Sequence, residues 1–284
     1  GRRVPPPRGA DGKAGAPRLT ISVTRLEQLS PALLELGCPA GVYLPLEEVS
    51  RLESLPGEGP EWCAVLPRVW RDRDEPALRT LLERARALGF TGVLIGNLGH
   101  LPLVRGLNFH LYGDYGLNVF NSRSLAYLKD KELESACVSF ELRFAQIRDL
   151  KKVLPAEAIV YGRLPLMITE NCLVQNETGC RLDRQGPCVP EDGPCRCGRT
   201  NTLVDRTGAA FPLLPAYGHR TEIQNSRPLY LADRPDYRKL GLSLARLRFT
   251  TETAEECVSV LRSYLDGAPA AGTFTRGLYE RGVE

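Results

Sequence analysis

No stretch of this chain approaches the ~20 consecutive apolar residues that a membrane-spanning helix requires, so no such helix is expected. An excess of one charge is missing too: 37 Lys and Arg face 34 Asp and Glu, for a formal net charge of +3. A dedicated nucleic-acid binder carries a larger and more clustered basic excess, so an RNA partner is permitted here but not argued for. Histidine is scarce, with His100, His110 and His219 the whole supply. A Cys–His nucleophile pair would need one of them beside a thiolate. A Gly-x-Ser-x-Gly elbow and a His-Glu-x-x-His helix are both absent, which leaves little support for hydrolysis. The opening residues Gly1-Arg2-Arg3-Val4-Pro5-Pro6-Pro7 have neither an initiator Met nor the apolar core of a signal peptide. Residues 1–17 are expected to be a flexible linker within a longer chain, and a cytoplasmic location is expected.

What is present is ordinary for a globular protein: 43% hydrophobic and 25% charged residues in a chain of 284. Short β-branched runs at 19–24, 41–46, 64–69, 92–96, 110–112 with 117–120, 136–140, 158–161, 229–232 and 245–249 read as strands. Helical stretches separate them. In the clearest, 75–88, Leu78, Leu81, Leu82, Ala85 and Leu88 share one face, and Gly89 follows as the stop. Segments 122–129, 144–153 and 252–265 behave similarly. Such alternation predicts an α/β fold with a mostly parallel sheet, and the number of units favours a TIM-like (β/α) barrel over residues 18–265, followed by a C-terminal tail, 266–284. In a barrel, chemistry belongs at the C-terminal strand ends. Polar residues expected there are Asn97, Asn118, Asn121, Glu141, Arg143 and Arg163.

Between 169 and 211 the apolar periodicity lapses into Gly, Pro, Asp and Asn. The same stretch holds Cys172, Cys180, Cys188, Cys195 and Cys197, five cysteines within 26 positions. By contrast, Cys38, Cys63, Cys137 and Cys257 stand singly among apolar neighbours and read as small buried hydrophobes. Without a secretion signal, a local cluster reads as a metal site before disulfides. A stretch with no core of its own can be held by thiolate–metal bonds. Its spacings of 8, 8, 7 and 2 fit neither paired zinc knuckles nor the compact ferredoxin run, and do not separate zinc from iron–sulfur.

Several motifs then carry a resemblance. One is Tyr161-Gly162-Arg163-Leu164-Pro165-Leu166-Met167-Ile168-Thr169-Glu170-Asn171-Cys172. Others are Leu203-Val204-Asp205-Arg206-Thr207-Gly208 ahead of Phe211-Pro212, then Arg220-Thr221-Glu222-Ile223-Gln224-Asn225-Ser226, Arg246-Leu247-Arg248-Phe249-Thr250 and a tail from Thr275 to Val283. Upstream, Gly113-Asp114-Tyr115-Gly116-Leu117-Asn118 and Phe140-Glu141-Leu142 fit the same pattern. Together they resemble the collagenase-like peptidase family U32, in the C-terminal half of its long, two-part members.

That resemblance implies an iron–sulfur enzyme, with a 4Fe-4S cluster, of the branch that hydroxylates ribosomal or transfer RNA bases, some of whose members are linked to prephenate. It implies Cys172, Cys180, Cys195 and Cys197 as ligands, with Cys188 spare in an inserted stretch and His219 where many relatives have Cys. RNA and the missing N-terminal half are the implied partners. Arg163, Glu141 and Asn118 are the catalytic candidates, and Asn121, Arg220 and Asn225 the substrate-binding ones. Two other readings stay open: a collagenase-like peptidase with a structural metal loop, and a non-catalytic module stabilised by zinc or a cluster.

Overall fold

Helix α3 (Glu75–Ala87) shows how directly the pattern becomes structure. Leu78, Leu82 and Ala85 are fully buried, Glu75 and Arg79 pair one turn apart at 2.8 Å, and Gly89 follows with φ +100°. The computed structural model describes residues 15–37, 39–178 and 201–282.

Seven strands come first: β1 (Arg18–Ser22), β2 (Gly41–Pro45), β3 (Glu61–Val65), β4 (Gly92–Ile95), β5 (His110–Gly113), β6 (Ser135–Cys137) and β7 (Ala156–Gly162). Between or after them lie α1 (Pro31–Glu35), α2 (Leu46–Val49), α3, α4 (His100–Val104), α5 (Ser122–Asp130) and α6 (Phe144–Asp149). An insertion then holds β8 (Pro165–Thr169), α7 (Leu173–Thr178), β9 (Asn201–Val204), β10 (Ala210–Ala216), β11 (Arg220–Gln224) and β12 (Leu229–Tyr230). The last strand, β13 (Leu244–Arg248), leads into α8 (Ala254–Asp266).

Strands β1 to β7 and β13 pair in parallel in ring order, β13 lying between β7 and β1 and β6 closing onto β7. This is the expected TIM-like barrel, closed by eight strands with helices between them. The insertion adds a second, antiparallel sheet in the order β8-β11-β10-β9. Most of the apolar core fills the layer between barrel and helices, while Tyr43, Cys63 and Leu94 form a separate cluster on alternate positions of β2, β3 and β4.

Several expectations shift. The third strand lies at Glu61–Val65, not 64–69, because its polar first residue is tied in by Tyr112, whose hydroxyl donates to the Glu61 carboxylate at 2.7 Å. Residues 117–120 are no strand: Tyr115–Leu117 forms a 3-10 turn, and Val119 makes only an isolated bridge to Val138. Helix α6 stops at Asp149 because Leu150 turns to extended ψ. Within 169–211, a helix and two strands stand where the sequence showed no periodicity. The tail is part of the wall: Tyr279 is buried, stacks on Phe144 at 5.1 Å, and donates its hydroxyl to the Ile159 carbonyl at 2.6 Å. Residues 1–14 and 179–200 lie outside the described residues, as does Cys38. No helix among the described residues is long and apolar enough to cross a membrane.

Candidate functional site

Side chains on a strand alternate between faces, so Arg246 and Arg248 of β13 point the same way, toward the barrel axis. Arg246 is 1% exposed and lies between Glu157 of β7 and Asp114 just past β5. Its Nε donates to Glu157 at 3.1 Å, and further N–H groups reach both Glu157 and Asp114. The other Glu157 oxygen accepts from the Thr20 hydroxyl at 2.6 Å and the Tyr43 hydroxyl at 3.0 Å. The guanidinium also lies 4.7 Å over the Tyr43 ring. Burial alone would lower the Arg246 pKa, yet the two carboxylates override it and hold the group well above its ordinary value.

Nearer the C-terminal rim, a second set joins the barrel to the inserted sheet. Glu222 of β11 accepts from Arg68, beyond β3, at 3.1 Å and from Arg248 at 2.9 Å. Gln224 donates to it at 2.8 Å and the Tyr115 hydroxyl at 3.4 Å. Arg68 and Arg248 both lie over the Tyr115 ring, at 5.4 and 5.7 Å. Burial and the Glu222 charge push the Tyr115 phenol up to about 12.

A third set borders Cys172. Exposed Glu170 accepts from Arg71 and from buried Arg220, each at 3.0 Å, and these bonds hold its carboxyl below the usual range. Arg220 also donates to the Tyr217 carbonyl at 3.1 Å, while its buried Nε has no hydrogen-bond partner among the described residues. Cys172, half-buried between β8 and α7, accepts a backbone N–H from Gln175 at 3.4 Å. The neighbouring Leu173 amide donates to the Thr221 hydroxyl at 3.0 Å, which fixes this corner to β11 beside Arg220.

Asn118, Glu141 and Arg163 follow β5, β6 and β7 and so share the C-terminal rim. Asn118 is exposed with φ +49°, and among the described residues the half-buried Glu141 bonds through its amide, to Ser139. Arg163 donates to the Asn225 carbonyl at 3.0 Å and to that of Ser226. Asn121 caps α5, accepting from the Arg123 and Ser124 amides, and Asn225 closes a local turn by accepting from Arg227. Asn225 also borders a depression of about 400 Å³ shared with Arg227, Arg276 and Arg281. Arg143, exposed, bonds through its amide to Gln146. Of the proposed metal ligands only Cys172 is among the described residues; Cys180, Cys188, Cys195 and Cys197 lie in 179–200. No group of three potential metal ligands forms among the described residues.

Sequence reasoning passed over Arg68, Asp114, Tyr115, Glu157, Glu222, Arg246 and Arg248 as site residues. A signal existed: charges at alternate positions of otherwise apolar strands, as in Leu244–Arg248, mark an inward polar face. Burial pushes the Cys63, Cys137 and Cys257 thiols up, in keeping with their reading as buried hydrophobes.

His100 is another buried group, and it is neutral. Its Nδ1 accepts from the Gly96 amide at 3.1 Å, and its Nε2 sits 3.0 Å from the Pro67 carbonyl. Burial lowers its pKa from 6.5 to about 4. The unfolded chain therefore takes up this proton first, so the contribution is complete above pH ~6.5 and is lost as pH falls toward ~4. His100 accounts for a loss of about 3 kcal/mol across that window, set against a gain from Glu47, whose carboxyl burial pushes up to about 7; His100→Gln should remove that loss in urea unfolding at a series of pH values.

The model of peptidase family U32 matches residues 55–207, more than half of the chain. The chain belongs to peptidase family U32. Among solved structures, the U32 peptidase Mk0906 is similar with a TM-score of 0.46 and 10% identity, over 86% of this chain and 97% of that one. A thiamine phosphate pyrophosphorylase from Pyrococcus furiosus gives 0.40 and 9%, over 88% and 94%. No curated protein matches the chain. The U32 match takes in β3 to β9 and all five clustered cysteines, and so includes Arg68, Asp114, Tyr115 and Glu157 of the charged barrel and Cys172 at its edge.

Proposed function

We propose that this U32 chain is the C-terminal barrel of an iron–sulfur enzyme that hydroxylates RNA bases. One observation carries the reading: Cys172 stands at the edge of an arginine-rich barrel mouth, its sulfur half-buried and accepting a backbone N–H. Hydrogen bonds to sulfur of this kind are the usual support of cluster ligands. The donor chemistry fits, since soft thiolates suit iron–sulfur or zinc. Cys172 with Cys180, Cys195 and Cys197 would hold the cluster, which supplies one-electron chemistry when bound. Arg71 and Arg220 would orient anionic substrate, and Arg227 and Arg281 would add cations for an RNA backbone beside Arg276, which Asp233 already pairs. Prephenate as co-substrate, the N-terminal half as partner and a cytoplasmic setting belong to the same reading.

A peptidase reading rests on the family's description. Against it, Cys63, Cys137 and Cys257 are buried with raised thiol pKa values, and both His100 ring nitrogens face protein partners.

The deciding experiment is anaerobic purification followed by absorption spectroscopy and metal analysis. Iron and acid-labile sulfide in equal amounts are expected, falling to background in Cys172→Ser and unchanged in Cys257→Ser. Zinc without iron would remove the redox reading. The loaded protein, given RNA and prephenate, should add one oxygen to a base by mass spectrometry of the digested RNA. Cleavage of a collagen peptide without that product would favour the peptidase.

A further inference from the structure

The two arginines around Glu222 belong to the barrel, but the carboxylate between them does not. Arg68 follows β3 and Arg248 ends β13, whereas Glu222 comes from the antiparallel sheet inserted after β7. The Arg248 guanidinium has partners besides that carboxylate, and the Arg68 backbone is held in place at the rim. The Arg68 carbonyl accepts from Asn97 at 2.9 Å, and Arg248 donates to the Arg163 carbonyl at 2.6 Å and to Gln224 at 2.8 Å. Tyr115 lies against both guanidiniums and turns its hydroxyl to the same carboxylate. Strand β11 shifts register between Ile223 and Gln224, next to Glu222, as strands do where a side chain is re-aimed.

Charge balance adds a second argument. Arg68, Arg246 and Arg248 are matched by Asp114, Glu157 and Glu222. Withdrawing Glu222 leaves one positive charge uncompensated where Arg248 is only 7% exposed. An unpaired charge so little exposed to water demands an anion. Planar guanidinium forks suit carboxylate and phosphate oxygens alike. The place is also right, at the C-terminal ends of the third and eighth barrel strands.

We propose that Arg68, Arg248 and the Tyr115 hydroxyl form an oxyanion-binding site at the barrel mouth, which Glu222 fills until a ligand carboxylate or phosphate displaces it. The inserted sheet is then a cover whose own carboxylate competes with the ligand. The site stands on barrel geometry, whatever metal Cys172 holds.

The test is calorimetric titration of the full chain with inorganic phosphate in one arm and malonate in the other. Glu222→Gln should bind at least one of them about tenfold more tightly than the unaltered protein, and the arm that responds identifies the ligand chemistry. Adding Arg68→Gln to Glu222→Gln should abolish the gain. No gain in either arm, or a gain that survives Arg68→Gln, overturns the proposal in favour of a purely structural ion pair. If Glu222→Gln does not fold, hydrogen exchange on the unaltered protein decides. Saturating anion should speed amide exchange in 213–223, and unchanged or slower exchange refutes displacement.

Discussion

Replacing Arg246 with methionine is expected to cost on the order of 3–5 kcal/mol, a large share of the roughly 5–15 kcal/mol by which an ordinary domain is stable. The methionine fills much of the volume but leaves Asp114 and Glu157 facing one another inside the barrel, at 4% and 2% side-chain exposure. Burial and mutual repulsion would then raise both carboxyl pKa values above those of the unfolded chain. The variant's native state would bind more protons than its unfolded state, so its stability should rise as pH falls from 7 toward 5. His100, whose pKa burial lowers, and Glu47, whose carboxyl burial pushes up to about 7, act with opposite signs and are common to both proteins, so they cancel in the difference between them. Urea unfolding of both proteins at pH 7 and pH 5 checks that the stability gap between them narrows at the lower pH. Lysine should rescue poorly, because one ammonium cannot reproduce a fork that reaches two carboxylates. Tyr43→Phe, which removes one hydroxyl donor to Glu157, should cost only about 1 kcal/mol.

Gly162→Ala should be nearly as damaging. This residue ends β7 with φ +117°, and an added Cβ would sit 2.0 Å from the Arg248 carbonyl oxygen, a backbone atom that cannot swing away. Strand β12 pairs antiparallel at the same residue, Leu229 against Gly162. Relief therefore requires β7 and β13 to separate at the rim, carrying Arg163 and Arg248 with them. A loss of about 3 kcal/mol or more is expected, from strain combined with displaced backbone. Gly208→Ala is the control. It too has positive φ, at +84°, but nothing lies within 4 Å of its would-be Cβ, so only about 1 kcal/mol of strain applies. Thermal melting of the two variants side by side separates clash from conformation.

The barrel was legible in the sequence because most of its strands are buried on both faces and its helices carry continuous apolar stripes. Residues 92–96 and 245–249 read as strands for that reason, as did the α3 stripe. The inserted sheet was not legible. Strand β9 is largely exposed and β8 presents Leu166 and Met167 to solvent, so neither shows an alternating pattern. Asn118 and Asn121 were found as polar strand ends and Asn225 through the family resemblance, but Asn121 serves a helix cap and Asn225 a turn, roles no different in spacing from a binding role. The buried charges were passed over for another reason: Arg and Glu default to the surface, and only the closed ring reveals that Arg246 meets residues from strands distant in the chain.

That ring has a consequence for synthesis of the chain. Strand β1 pairs with β13, Arg18 against Leu244, so the first strand has no partner on one side until nearly all the others exist. The seam between β6 and β7 is only two residue pairs long, and beyond it β7 turns to β12, which Thr275 bridges in turn. Such long-range closure makes folding slow. During translation the edges of β1 and β7 stay open until β13 has left the ribosome, and chaperones would shield them until then.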